Sequence, residues 1–120
     1  MIMPNRNGIL HESIIDKLRF NLPSIMKSQF DDFLCIADEG LMAGFCNNGN
    51  QKGERPDLIL VYGEELTLIE VGTINNCKWI GLENKLIHIS HNKSVGLING
   101  TPTEDTLKVL SAIRNLLRVY

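Results

Sequence analysis

Residues 55 to 72 constrain this chain more than any other stretch. Arg55-Pro56-Asp57 opens an apolar run, Leu58-Ile59-Leu60-Val61-Tyr62, a Gly63-Glu64-Glu65 turn follows, and Leu66-Thr67-Leu68-Ile69-Glu70-Val71-Gly72 returns. Short apolar runs bounded by Pro and Gly predict two strands joined by a tight turn. A sheet that buries this hairpin leaves Asp57, at the mouth of the first strand, and Glu70, at the end of the second, as its only acidic groups near one edge. Two carboxylates so placed suit a divalent cation that activates water against a phosphodiester.

Helical periodicity frames the hairpin. Leu10, Ile14 and Leu18 recur every fourth residue, with Glu12, Asp16, Lys17 and Arg19 on the other faces, which predicts an amphipathic helix from about residue 8. Asn21 and Pro23 are expected to break it or to start a second short helix carrying Ile25, Met26 and Phe30. Asp31-Asp32 reads as a solvated turn and Phe33-Leu34-Cys35-Ile36 as a short buried strand. Residues 37 to 54, with Gly40, Gly44, Gly49, Gly53, Asn47, Asn48 and Asn50, read as an irregular hairpin or loop.

After the hairpin, Trp79, Leu82 and Leu86 fall at helical spacing, so a helix is expected from Cys77 to about Leu86, with these three side chains in the core. Ile87 to Ile98 is expected to hold one strand, best placed at 94 to 98. His88 and His91 are expected at an exposed edge. Thr101-Pro102-Thr103-Glu104 reads as a capping box with Pro at the first helical position, opening a helix that carries Leu107, Leu110, Ile113, Leu116 and Leu117. The order is helix, strand, hairpin, helix, strand, helix, without internal repeats or a linker, which suits one α/β domain.

Charge narrows the function classes. The 120 residues carry 12 Lys plus Arg against 14 Asp plus Glu, a net charge of -2, which argues against gripping nucleic acid through a broad basic face. Cys35, Cys46 and Cys77 form no C-x-x-C pair, so neither a disulfide framework nor a four-cysteine zinc site is indicated. No apolar run approaches the roughly 20 residues of a membrane span, and the first residues do not lead into a signal-peptide core. The expectation is an intracellular protein, cytosolic or nuclear, with no membrane partner.

Pro-Asp opening the second of three antiparallel strands, Glu closing the third, then a helix and a fourth strand, resembles the PD-(D/E)XK nuclease superfamily over almost the whole chain. The resemblance implies an α/β, PD-(D/E)XK endonuclease-like fold, a small mixed sheet flanked by helices, with residues 1–120 as a single domain. The superfamily's usual Lys two residues after the Glu is replaced by Gly72. One branch takes that Lys from the next helix: the N-terminal endonuclease domain of the orthomyxovirus polymerase acidic subunit. It carries Pro-Asp, then Ile-Glu-Ile-Gly, then a helix ending in Leu-Glu-Lys. The matching residues are Pro56-Asp57, Ile69-Glu70-Val71-Gly72 and Leu82-Glu83-Asn84-Lys85, with Lys85 following Glu70 by 15 residues as in that family.

The likeness implies that Asp57 bridges two Mn²⁺ or Mg²⁺ ions and that Glu70 and the carbonyl of Val71 bind one of them. It adds a His from the first helix and a Glu from a Glu-Gly pair, for which His11 and Glu39 are the candidates; Glu12 and Asp38 are the alternatives. An imidazole ligand would favour Mn²⁺ over Mg²⁺. Lys85 would stabilise the transition state or orient water. The implied substrate is single-stranded, capped RNA, cut to supply primers. The implied partners are the other viral polymerase subunits, and the implied place is the host nucleus, or otherwise the cytoplasm. The chain departs from the family in a longer gap between Asp57 and Glu70, in its shorter length, and in Gly81 where the family often has an aromatic residue. Two other readings stand beside this one: a resolvase-like DNA nuclease using Glu12, and a catalytically silent docking module of a polymerase.

Overall fold

The computed structural model describes residues 6–38, 40, 55–73 and 85–118. Helix α1 spans Arg6–Met26, strands β1 to β5 span Leu34–Ile36, Leu58–Tyr62, Glu65–Val71, Lys85–Ile89 and Val95–Asn99, and helix α2 spans Glu104–Arg118. The strands form one sheet in the order β1-β2-β3-β4-β5. Every neighbouring pair is antiparallel except β3 and β4, which run parallel. The result is a compact α/β domain with a five-stranded mixed sheet, as the patterning predicts at that level.

Helix α1 does not break at Asn21-Pro23. Pro23 lies inside it, although proline deprives the Arg19 carbonyl of its partner and costs about 3 kcal/mol in a helix interior. The helix continues because Leu22 and Met26, one and two turns past Leu18, are both fully buried. Two such side chains contribute roughly 3–6 kcal/mol on burial, enough to offset the proline. Asn21 donates from Nδ2 to the Lys17 carbonyl at 2.8 Å, and Met26 ends the helix by accepting from the amides of Gln29 and Phe30.

The hairpin turn is tighter than the sequence suggests. Tyr62 pairs with Glu65, so the turn is Gly63-Glu64 and Glu65 already belongs to β3. Gly63 has φ of 55°, which suits glycine at the first central position of a two-residue hairpin turn. Successive residues of β2 and β3 face opposite sides of the sheet. Leu58, Leu60, Tyr62, Ile69 and Val71 join Ile14, Leu18, Leu22, Met26, Val109, Ile113 and Leu117 in the core between sheet and helices. Ile59, Leu68 and Leu86 form a second, smaller buried cluster on the other face.

The region after the hairpin departs most from expectation. Residues 74–84, with most of the expected helix, lie outside the described residues, but Lys85 and Leu86 at its end are strand, the start of β4. Leu86 is buried as expected, on the sheet face carrying Ile59 and Leu68. Where one strand was expected between Ile87 and Ile98 there are two, joined by a turn in which Lys93 adopts φ of 69°. Helix α2 starts two residues later than the expected box. Thr103 is its cap: Thr106 N–H donates to Thr103 Oγ1 at 3.2 Å and Thr103 N–H donates to Thr106 Oγ1 at 3.1 Å. Pro102 precedes the cap and lies outside the helix.

Candidate metal and phosphodiester site

Three segments meet at one end of the sheet: the start of β2, the end of β3 and the second turn of α1. Asp57 N–H donates to the Ile69 carbonyl at 2.8 Å, which carries the β2–β3 ladder one residue beyond the Leu58–Ile69 pair. That brings the Asp57 carboxyl within hydrogen-bonding reach of Glu70 at the end of β3. Like charges at that range repel, and Glu70 is only 5% exposed.

The chemistry follows from this placement. Burial pushes the Glu70 carboxyl up, and its hydrogen bond with Asp57 and the negative charge of Asp57 push it further, to about 10; a backbone hydrogen bond at Val71 pulls the other way. Glu70 therefore keeps its proton at neutral pH and shares it with the Asp57 carboxylate. Asp57 Oδ2 also accepts from Val71 N–H at 2.7 Å. Its Oδ1 lies 3.1 Å from His11 Nε2, where the imidazole N–H donates to the carboxylate.

The expected set is thus partly assembled. Asp57, Glu70, His11 and Val71 come together, and of the two helical alternatives it is His11 and not Glu12 that touches Asp57. Glu12 is exposed. Glu39 lies outside the described residues, and Asp38 is exposed just after β1. Among the described residues, no group of three His, Cys, Asp or Glu side chains forms a ready metal cage; His11, Asp57 and Glu70 instead hold one another through their own hydrogen bonds.

Lys85 is placed elsewhere. In the parallel β3–β4 ladder Lys85 is level with Thr67 while His88 is level with Glu70, so Lys85 stands about 10 Å back along the strand direction. An odd separation from His88 also puts it on the opposite face. There Nζ donates to Glu65 Oε1 at 2.8 Å and to Thr106 Oγ1 at 3.3 Å. Burial pulls the Glu65 carboxyl up, but hydrogen bonds from Lys85, Thr103 and Thr106 outweigh it and hold the group below its ordinary value. Lys85 ties β3, β4 and α2 together.

In its place stand two residues expected at an exposed edge. His88 donates from Nε2 to the Gly72 carbonyl at 2.6 Å. The His91 ring meets the His11 ring edge-on, centroids 6.2 Å apart, and its buried Nε2 has no hydrogen-bond partner among the described residues. All three histidines of the chain therefore gather around Gly72. A side chain there is excluded twice over: φ is 109°, and a Cβ would stand 3.2 Å from His91 Nε2 and 3.6 Å from His11 Nδ1. Once Ile87-His88-Ile89 is read as a strand parallel to β3, period-two alternation brings His88 beside Glu70.

Among the described residues the one cysteine, Cys35, is a poor nucleophile. Burial pushes the Cys35 thiol up to about 11, against the opposing pull of Arg19, so it stays protonated. Asp31 and Asp32 are exposed in a turn, as expected. No described helix is long and apolar enough to cross a membrane. No family model matches the chain, and neither a curated protein nor a solved structure matches it.

Proposed function

We propose that this chain is a divalent-metal-dependent nuclease domain of PD-(D/E)XK type that hydrolyses phosphodiester bonds in single-stranded RNA. The reading rests above all on Asp57 and Glu70, where burial, a hydrogen bond with Asp57 and the charge of Asp57 push the Glu70 carboxyl up to about 10. Buried carboxylates in that position are short of positive charge, which a divalent cation would supply in place of the proton. The order of elements, a helix, three antiparallel strands and a further strand, supports the same superfamily.

The donor set fits Mn²⁺ or Mg²⁺, two ions in the full site. Asp57, Glu70, His11 and the Val71 carbonyl would hold them, with Glu39 as the further ligand that the resemblance implies. One imidazole among carboxylate oxygens suits Mn²⁺. The bound ions supply a lowered pKa for the attacking water and charge stabilisation for the leaving oxygen. The chain's own residues prepare the site. Val71 N–H holds Asp57 Oδ2 and the His11 ring holds Oδ1, and Glu70 would have to give up its proton to hold an ion. Capped RNA as substrate and the other subunits of a viral polymerase as partners belong to the same proposal.

A second reading, a metal-binding or docking module without turnover, draws support from Lys85, whose ion pair with Glu65 occupies the other end and face of the sheet. Thermal melting with Mn²⁺ tests the site common to both. A ligand that binds only the folded state stabilises it by about 2.7 kcal/mol at a hundredfold excess over its Kd. The parent should melt several degrees higher in millimolar Mn²⁺ and Asp57→Asn should not respond. An unchanged parent melt removes the metal site.

A further inference from the structure

The turn between β4 and β5 has two flanks. One carries His91, against Gly72 and His11. The other, beginning at the next residue, lines an open cleft of about 490 Å³ formed by Asn92, Lys93, Ser94 and Val95 with Arg114, Leu117 and Arg118 of α2. Three of these residues are cationic and none is acidic, in a chain whose net charge is -2.

The cleft is built from fixed parts. Arg114 donates from Nε and Nη2 to the Val95 carbonyl at 3.3 and 2.9 Å, which engages two of the five N–H donors of a guanidinium and fixes its plane. The turn is closed by Ser90 N–H to the Ser94 carbonyl and Lys93 N–H to the Ser90 carbonyl, both 2.9 Å, and Lys93 is held at φ of 69°. Val95, half-buried, is the apolar lining residue that reaches the cleft surface. A guanidinium fixed in this way, with the Lys93 and Arg118 side chains lining the same cleft, suits a phosphate backbone.

We infer that this cleft, on the α2 side of the β4–β5 turn, binds the backbone of a single-stranded nucleic acid that the site at Asp57 and Glu70 would cut. The inference rests on the nuclease reading for its direction, but binding is measurable without metal or cleavage. The net charge of -2 argues against a broad basic surface of the kind a duplex would need.

Fluorescence anisotropy in EDTA with a short labelled oligouridylate, and with oligothymidylate in parallel, tests it. Three phosphate contacts give a slope of about -2 in log affinity against log salt, so affinity should fall roughly 20-fold for a fourfold rise in salt. Arg118→Ala should weaken binding and flatten the slope by about 0.7. Lys93→Glu with Arg118→Glu should abolish it. Both positions face solvent at least in part, and an unchanged melting temperature verifies the fold. Parent-like affinity and slope in the double variant overturn the inference, as does equal competition by polyglutamate. Loss of binding in the double variant together with a parent melt indifferent to Mn²⁺ supports the cleft and refutes the metal site, so the two failures are separable.

Discussion

Replacing Glu70 with Gln isolates the shared proton. The amide is nearly isosteric and donates to Asp57 as the protonated acid does, but it cannot ionise. In the parent, Glu70 has an ordinary value near 4.5 when unfolded and a much higher one when folded. Its protonated form therefore favours the fold, and that contribution is complete below about pH 4.5 and is lost as pH rises towards the folded value. Through this window the folded state binds one more proton than the unfolded state, so stability falls by about 1.4 kcal/mol per pH unit from this group alone. Glu70→Gln lacks that slope. Relative to the parent it should gain on the order of 2–3 kcal/mol between pH 5 and pH 7, read by urea unfolding in EDTA, while other titrations cancel in the difference. Parallel stability curves over this range would mean that Glu70 ionises normally and that no proton is held against Asp57.

Other expectations concern the frame around the site. Pro23→Ala restores a donor to the Arg19 carbonyl and should raise stability by about 1–3 kcal/mol in urea unfolding; no gain would mean that the helix has already relaxed around the ring. Lys85→Ala leaves the Glu65 carboxylate without its ammonium and should cost about 2–4 kcal/mol in urea unfolding; unchanged stability would mean that the pair does not tie the sheet to α2. Gly72→Ala meets a positive φ and the close approach of His91, so it should cost at least about 1–3 kcal/mol and weaken Mn²⁺ binding by calorimetry. Because an entering cation displaces the Glu70 proton, Mn²⁺ affinity should rise by up to roughly tenfold per pH unit between pH 6 and 8, and the Glu70→Gln variant should not show that rise.

The parts legible in the sequence are those whose signals are local. Short apolar runs on either side of Gly63 predict the hairpin, and with it the meeting of Asp57 and Glu70, because a tight turn fixes register. The run from Val109 to Leu117 gives α2, although the cap moved from Thr101 to Thr103. Pro23 misleads because a local helix breaker is overridden by burial of Leu22 and Met26, a tertiary effect. Lys85 misleads because Leu82 and Leu86 have helical spacing, whereas Lys85 to Ile89 is fixed as a strand by parallel pairing with β3 across the intervening residues. The same long-range pairing gathers His88 and His91 around Gly72, and nothing in their local sequence signals it.

Phosphodiester cleavage itself is decided by single-turnover incubation of excess protein with a labelled single-stranded RNA in Mn²⁺, in EDTA, and with Asp57→Asn in Mn²⁺. The nuclease reading predicts shortened RNA only with the parent in Mn²⁺, and none in EDTA or with Asp57→Asn. Intact RNA in every lane, from a parent that melts higher in Mn²⁺, would contradict the nuclease and leave a silent metal-binding module.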